Sequence, residues 1–315
     1  MTYKNKITAL LVLIAGLALA FAAGLVFNPE RSGSRSSSYA WLDSKAVSKI
    51  TRITFSGQTE LELKKTNGLW FVSKEGNDYP ARGVRVEDFL GVLSARAPYP
   101  VVSTGASSHK RLGLDGESAS RVSVFADNAS VLDLLLGGLD SSGRGIYLRK
   151  YGQNEARSGD DKFSLYVTGS VTSWYNLKLF PETEDGKLDA EGVQRFIVYT
   201  PGGRQDFGRV NKEWAISGIE VANPDKAAVD AYIRTILNTE GDDFASPDQV
   251  SALDFNNSRI DLELGSGGVK TVRLTEADEQ NRRYAQVSGS DYVYSIAGWM
   301  AQRLFKTAQD FEKKS

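Results

Sequence analysis

The sequence predicts an α+β fold with two tandem related units, each an antiparallel sheet with packed helices, after one N-terminal transmembrane helix. Three observations support this prediction. An uncharged segment of 21 residues runs from Ile7 to Phe27. Apolar motifs recur about 144 positions later along the chain. Hydrophobic residues make up 41% and charged residues 24% of the chain, so a packed core is expected.

The N-terminal segment is long enough to cross a bilayer. At about 1.5 Å per residue, Ile7–Phe27 spans a hydrocarbon core of roughly 30 Å. Lys4 and Lys6 precede it, which places the N-terminus in the cytoplasm. Ala20-Phe21-Ala22 fits a cleavage site, but the apolar run continues through Phe27, which favours an uncleaved anchor. We therefore expect a single-pass protein of the inner membrane with its bulk in the periplasm, in contact with lipid through this helix.

The polar segments set the expected domain boundaries. A Ser/Gly-rich stretch follows the apolar segment and is typical of a flexible tether, with Trp41 beside Tyr39 expected at the membrane interface. An acidic, turn-rich stretch divides the repeats. The predicted regions are a cytoplasmic end 1–6, a transmembrane helix 7–27, a tether 28–46, a first repeat 47–180, a linker 181–192, a second repeat 193–306 and a tail 307–315.

The duplication is read from motifs that keep a nearly constant offset. Ile53 and Ile197 are 144 positions apart, as are Trp70 and Trp214. A helical stripe with i, i+3, i+4, i+7 spacing follows in both copies. Its members in the first copy are Val86, Phe89, Leu90 and Leu93, and those in the second are Val229, Tyr232, Ile233 and Ile236.

The correspondence continues through a hairpin in each copy. Leu112-Gly113-Leu114 matches Leu253-Asp254-Phe255, and Tyr147 matches Tyr284. Further along, we pair Tyr166 with Tyr294 and Trp174 with Trp299. The falling offset then predicts about nine extra residues in the first copy, in a surface loop over 152–160.

Composition excludes several classes of function. Cysteine is absent, which excludes disulfides, thiol nucleophiles and thiolate zinc sites, and one histidine excludes histidine-clustered metal sites. The formal net charge of −1 offers no general attraction for nucleic acid. His109 lacks a Gly-x-Ser-x-Gly elbow and lies in a Ser/Lys/Arg-rich loop, so we interpret it as a surface residue. We expect no enzyme activity, cofactor or metal.

Four weaker patterns have structural interpretations. Gly138–Gly145 lacks the Lys and Ser/Thr of a phosphate loop and is interpreted as a turn before a strand. The acidic residues around Gly186 lack the spacing of a calcium loop. The pairs Asp160-Asp161 and Asp242-Asp243 are interpreted as loops. A carbohydrate platform is weighed for four tryptophans, but their repeated apolar settings favour core packing; these are Trp70, Trp174, Trp214 and Trp299.

One face of the first copy is the predicted partner-binding surface. Tyr79-Pro80 and Tyr99-Pro100 flank its helix and have no counterparts of the same composition in the second copy. Two arginines accompany them. The candidate partner-binding residues are Tyr79, Arg82, Arg85 and Tyr99.

The whole pattern resembles a known bacterial family. The positive N-terminus, the single apolar span, Gly68-Leu69-Trp70, the Val86–Leu90 helix, Arg111–Leu114 and Tyr147-Leu148-Arg149 together resemble domain of unknown function 4340. The likeness covers most of 50–179 and extends loosely to about residue 305. The resemblance implies a non-catalytic component that accompanies an ABC transporter of the gliding-motility type. The implied partners are its permease and its extracytoplasmic auxiliary subunit.

Three functional hypotheses follow. The first is a membrane-anchored extracytoplasmic accessory subunit that docks onto an ABC transporter or another envelope complex. The alternative is an envelope ligand-binding or sensor protein that uses the cleft between the repeats for a glycan or peptide. The third, a membrane-anchored hydrolase, requires His109 or a carboxylate pair to be essential.

Overall fold

The chain divides into two compact units in a computed structural model. The first unit takes in the chain up to Gly76 together with Gly83–Ser173, and the second takes in Asn77–Arg82 and the chain from Trp174 onward. The structure describes residues 17, 38–57, 60–159, 162–167, 169–182, 186–217 and 224–312. Apart from Leu17, the predicted membrane span at 7–27 lies outside these residues. Within the described ranges, no helix has the length and hydropathy needed to cross a membrane.

The first unit is mostly antiparallel strands. Its helices are α1 (Gly83–Ser94) and α2 (Ser164–Val167), with short 3₁₀ turns at Ser44–Lys49, Ala106–Ser108 and Val171–Trp174. Its strands are β1 (Ser38–Tyr39), β2 (Ile50–Ser56), β3 (Leu61–Thr66), β4 (Leu69–Lys74), β6 (Ala97–Pro98), β7 (Val101–Ser103), β8 (Ser120–Ala126), β9 (Ala129–Leu139), β10 (Ile146–Lys150) and β11 (Ala156–Ser158). The strand between β4 and α1, β5 (Asn77–Pro80), falls in the second unit.

The main sheet of the first unit has the order β4-β3-β2-β8-β9-β10-β11-β7. All of these neighbours pair antiparallel. One face of β2 is buried through Ile53 and Phe55, and α1 buries the predicted stripe of Val86, Phe89, Leu90 and Leu93. The 3.6-residue period of α1 therefore predicted its buried face correctly.

The segment that precedes β2 is folded and does not form a tether throughout. β1 pairs with β6, and the backbone N–H groups of Trp41 and Leu42 both donate to Leu93 O, at 3.0 and 2.9 Å. These bonds satisfy a carbonyl at the end of α1 that has no partner within the helix. Trp41 is buried, so the expectation that it lies at a membrane interface is wrong, and the predicted tether 28–46 overlaps folded structure from Ser38.

The second unit repeats this type of architecture. Its helices are α3 (Lys226–Leu237), α4 (Pro247–Val250) and α5 (Gly298–Leu304), with a 3₁₀ turn at Ala308–Phe311. Its remaining strands are β12 (Val193–Thr200), β13 (Gly203–Val210), β14 (Glu213–Ser217), β15 (Asp243–Phe244), β16 (Ser258–Leu264), β17 (Val269–Leu274), β18 (Arg282–Val287) and β19 (Val293–Ala297). Their order in the sheet is β14-β13-β12-β16-β17-β18-β19-β15.

The two sheets share one strand order. Counted along the chain among the strands of the two sheet orders given above, both place the third strand at one edge and the fourth at the other. Both first strands also have a register irregularity at the same place, between Ile50 and Arg52 and between Val193 and Arg195. Ile53 pairs with Val124 and Phe196 with Leu262, so the register aligns Ile53 with Phe196 and not with Ile197.

Each unit also has a second hydrophobic cluster. It contains the motifs that were matched between the two copies in the sequence analysis. In the first unit Leu112, Leu114, Leu135 and Ala156 cluster with Tyr147 packed against them. In the second, Ala245, Tyr284 and Val293 cluster with Leu253 and Phe255. The predicted pairing of Leu112–Leu114 with Leu253–Phe255 and of Tyr147 with Tyr284 thus matches equivalent packing.

The late pairs predicted from the sequence are wrong. Tyr294 lies in β19 and pairs with Ala285, whereas Tyr166 lies in α2. Trp174 is fully buried, whereas Trp299 is 59% exposed. The loops 151–155 and 288–292 have equal length, so no insertion lies before β11. These pairs were matched by residue type across short irregular segments. They failed because residues of the same type in such segments need not lie at equivalent positions of the backbone.

Candidate functional site

The four predicted partner-binding residues fall in different units. Tyr79 and Arg82 belong to the second unit, and Arg85 and Tyr99 to the first. The two pairs are therefore described separately, each within its own unit. Each pair has its own local surroundings, and these decide which of the side chains is available for contact.

Tyr79 is buried in an aromatic cluster of the second unit. Its ring stacks on Phe244 with centroids 5.0 Å apart and lies 5.7 Å from Tyr175. Arg82 follows on the same segment, where its backbone N–H donates to Trp174 O at 2.7 Å. The Arg82 guanidinium forms an exposed ion pair of 2.9 Å with Glu240. These contacts explain why 77–82 belongs to the second unit, and burial removes the Tyr79 ring from any partner surface.

Tyr99 is buried in an aromatic cluster of the first unit. Its ring is 5.4 Å from Trp41 and 6.3 Å from Tyr39, both edge to face. The Tyr99 carbonyl accepts a bond of 2.8 Å from the Arg157 guanidinium, which also lies over the Tyr39 ring. The two tyrosines of the Tyr-Pro pairs are thus core residues. The prolines lie at or just after strand ends, because proline has no N–H to donate to a neighbouring strand.

Arg85 is the predicted residue that lies beside exposed apolar surface. Its Nη2 donates to Leu165 O at 2.8 Å, and its guanidinium lies 5.1 Å from the centre of the Tyr166 ring. Val84, its neighbour on α1, and Leu165 are each 67% exposed. We call these four residues the α1–α2 patch. Sequence analysis missed Leu165 and Tyr166 as members, because their proximity to Arg85 depends on a contact 80 residues apart.

The other sequence candidates have structural roles. His109 Nε2 lies 3.0 Å from the Asn154 carbonyl oxygen, with no nucleophile among its described contacts. In Gly138–Gly145, the Asp140 carboxylate accepts from the Ser142 hydroxyl and from the Gly145 N–H, which fixes the predicted turn. These bonds lower the pKa of Asp140 to about 2, the Ser142 hydroxyl bond being the largest cause.

The acidic pairs give no convergent carboxylates in the described part of the chain. Asp242 accepts from the Ala297 N–H at 2.6 Å, and Asp243 accepts from the Phe244 N–H. Four further acidic candidates lie outside the described residues: Asp160, Asp161, Glu184 and Asp185. Across the described ranges, no group of three or more His, Asp or Glu residues is arranged to hold a metal ion.

The paired tryptophans of the two units make similar contacts. Trp70 and Trp214 are both buried. The Arg209 guanidinium lies 4.6 Å from the Trp214 ring, and the Lys65 ammonium lies 5.7 Å from the Trp70 ring. The Trp214 indole N–H also donates to Asp230 at 2.9 Å. Core packing with a cation at the ring therefore accounts for both residues, and neither offers a carbohydrate platform.

Comparison with known proteins identifies one family. The profile of a family described as domain of unknown function (DUF4340) matches residues 70–258, more than half of the chain. The match begins in β4 of the first unit and ends at the start of β16 in the second, so it is not confined to one unit. No curated protein and no solved structure shows significant similarity to the chain.

Proposed function

The chain belongs to the domain of unknown function 4340 family, and we propose that it is a membrane-anchored extracytoplasmic accessory subunit without catalytic activity. It docks onto an ABC transporter or another envelope complex through its folded units. The observation that carries the anchoring is the uncharged segment Ile7–Phe27 behind Lys4 and Lys6. The transporter is the partner that the family resemblance implies.

The α1–α2 patch is the proposed docking surface. Val84 and Leu165 present exposed apolar side chains, and Arg85 adds a cation held against the Tyr166 ring. An apolar centre with aromatic and arginine residues is the composition favoured in protein interfaces. We assign this patch to the extracytoplasmic auxiliary subunit of the transporter. Of the four residues predicted for partner binding, Arg85 is the one retained in this proposal.

The two units are proposed to be related by duplication. The shared strand order, the irregularity at the same position of both first strands, and the equivalent second cores support this relationship. Related units need not bind alike. The glycine of the Leu112–Leu114 element is not repeated in the second unit, where Asp254 stands in place of Gly113.

The alternative function is ligand binding in the envelope. A large groove within the second unit, lined by Asn257 and Glu276 among others, supports this alternative. The two functions are compatible, because the α1–α2 patch and the groove use different residues of different units. The experiments below separate them.

The docking proposal is tested by purifying the full-length protein from its own membranes in mild detergent and identifying bound chains by mass spectrometry. We expect a permease and an ATPase in stoichiometric amounts. The double variant Val84→Glu/Leu165→Glu places two charges on the patch and should lose them. The matched control Leu69→Glu/Leu139→Glu changes two other exposed leucines of the first unit and should retain them.

Two results would contradict docking at this patch. Recovery of the wild-type protein alone would reject the transporter partner and favour ligand binding. Equal recovery of partner chains with both double variants would reject the α1–α2 patch as the contact surface. Circular dichroism of each variant checks that its fold is unchanged.

A further inference from the structure

The second unit contains an open groove at the ends of its central strands. A cavity of 650 Å³ lies between the β12–β13 turn, the 252–257 segment and the turn after β17. A second cavity of 570 Å³ shares five of its lining residues, including Thr200, Asn257 and Glu276. Both volumes fall in the range of small-molecule sites, roughly 300–1,000 Å³. Together they form one extended groove of two chambers.

A fixed polar pair lines both chambers. The Asn257 amide donates to Glu276 Oε1 at 3.2 Å, while its carbonyl oxygen accepts from the Ser258 hydroxyl and from Arg283 Nη1, at 2.9 and 3.1 Å. These acceptor bonds fix which end of the amide faces Glu276. Arg283 is held in turn by the Thr275 carbonyl at 3.1 Å. The groove therefore presents an oriented amide and carboxylate in its middle.

The charges of the larger chamber disfavour an anionic ligand. Among its lining residues, all of which the structure describes, there is no lysine or arginine, whereas Asp254, Glu276 and Asp278 supply carboxylates. The negative charge of Asp278 is already balanced by Arg282. One carboxylate oxygen of Asp278 accepts a bond from the Arg282 backbone N–H, and the other accepts a bond from the Arg282 guanidinium. The rest of the lining combines amide and hydroxyl groups with apolar side chains, among them Leu253.

The position of the groove disfavours an extended peptide. Peptides that add to a sheet pair with the backbone of an edge strand. The edges of this sheet are β14 and β15, whereas the groove lies at the ends of β12, β16, β17 and β18. Recognition there relies on side chains. Planar amides and carboxylates that bond to hydroxyls suit a sugar.

We propose that this groove binds a neutral oligosaccharide, with Asn257 and Glu276 bonding its hydroxyl groups at the junction of the two chambers. The site lies within the second unit and not in a cleft between repeats. It does not rest on the docking function. A carbohydrate role is therefore assigned to this groove and not to Trp70, Trp174 or Trp214, which are buried.

The corresponding place in the first unit is filled by close backbone packing. Gly138 N–H donates to Leu112 O at 3.0 Å, and a Cβ on Gly137 would lie 2.3 Å from that same oxygen. Register places Thr275 of the second unit where the first has Gly137, since Leu136 and Leu274 occupy equivalent pairs. A side chain at this position prevents the same close approach. The groove is thus expected in the second unit alone.

The test uses full-length detergent-solubilised protein on an array of immobilised neutral, acidic and amino oligosaccharides. Ala277 is exposed and lines both chambers, so Ala277→Trp fills the groove without removing a polar contact. Leu139→Trp is the matched control at the equivalent exposed position of the first unit. We expect binding to neutral oligosaccharides that Ala277→Trp weakens at least about tenfold, or about 1.4 kcal/mol, and Leu139→Trp leaves unchanged.

Each contrary outcome overturns the proposal. No binding to any neutral oligosaccharide, or binding only to acidic or amino sugars, rejects the ligand class. Equal binding by Ala277→Trp and wild type rejects the groove. If Ala277→Trp fails to fold by circular dichroism, Ala252→Trp fills the larger chamber from another wall and is judged by the same criterion. The Val84→Glu/Leu165→Glu variant should bind sugar normally, which separates this result from failure of docking.

Discussion

Burial differs between tryptophans that look alike in the sequence. Trp174 and Trp299 each follow a strand-like segment and have small or apolar neighbours. Trp174 is fully buried at the end of a 3₁₀ turn, whereas Trp299 projects from the first turn of α5 and is 59% exposed. At the residue scale, the direction of a side chain depends on the backbone position within its element, which residue type alone does not specify.

The stability effects of these two tryptophans should differ accordingly. Trp174→Ala removes a buried ring and should lower the free energy of unfolding by about 3–5 kcal/mol. Trp299→Ala should change it by no more than about 0.5 kcal/mol, as for most surface substitutions. Urea denaturation followed by circular dichroism measures both. Equal losses would show that the ring of Trp299 is packed in the folded protein.

Asp140 should remain ionised in strongly acidic solution. Its pKa is about 2, because hydroxyl bonds from Ser142 and Ser158 and backbone bonds favour the carboxylate. Because this pKa is lower in the folded protein than in the unfolded chain, the ionised carboxylate stabilises the fold at pH values above the unfolded pKa of about 3.9. That stabilisation is lost as the pH falls through the folded-state pKa of about 2. The measurement is an NMR titration of the Asp140 carboxyl.

The same titration has an internal control. Ser142→Ala removes the bond that contributes most and should raise the Asp140 midpoint, whereas Ser141→Ala changes the adjacent serine and should leave it unchanged. A wild-type midpoint near 3.9 would contradict the hydrogen-bonded turn around Asp140.

At the scale of elements, close backbone packing distinguishes the two units, whereas strand order does not. Both sheets have the same strand order. The second strands of the two equivalent hairpins, β9 and β17, nevertheless end differently. In β9, glycines allow the Leu112–Leu114 segment to lie directly on the strand. In the second unit, Thr275 at this place carries a side chain, and a groove lies beside it.

The glycine contact predicts a position-specific cost. Gly137→Ala would place a Cβ 2.3 Å from the Leu112 carbonyl oxygen, so the backbone must shift, at a cost of about 1–3 kcal/mol. Gly208, in β13, has open space at its Cβ, so Gly208→Ala should be neutral or stabilise by up to about 1 kcal/mol. Thermal denaturation compares them. A neutral Gly137→Ala would contradict the close packing.

At the scale of the whole molecule, chain order and structural units do not coincide. Asn77–Arg82 lies within the first repeat of the sequence but belongs to the second unit, where Tyr79 packs on Phe244 and Arg82 pairs with Glu240. The family profile also covers parts of both units. The match to the family therefore extends from the first unit into the second and ends at the start of β16.

The division into two units predicts localised responses to core mutations. Trp70→Ala and Trp214→Ala each remove a buried indole and should cost about 3–5 kcal/mol. Hydrogen exchange followed by mass spectrometry should show lost protection mainly in the first unit for Trp70→Ala and mainly in the second for Trp214→Ala. Equal loss across both units in either variant would mean that they unfold as one.

The sequence by itself determined those features that repeat with a fixed period. The helical stripes of α1 and α3 and the match of Leu112–Leu114 with Leu253–Phe255 are both confirmed by burial. Periodicity works in such elements because a regular backbone fixes which side chains share a face. The family resemblance rests on the same packing motifs.

Only the tertiary structure decided the features that depend on contacts between distant segments. It buries Trp41, Tyr79 and Tyr99, assigns Asn77–Arg82 to the second unit, and places Arg85 beside Leu165. The groove likewise arises where three segments meet, around Asn257 and Glu276. Local periodicity in the sequence does not predict these contacts, because irregular segments are positioned by packing against other segments and not by their own backbone preference.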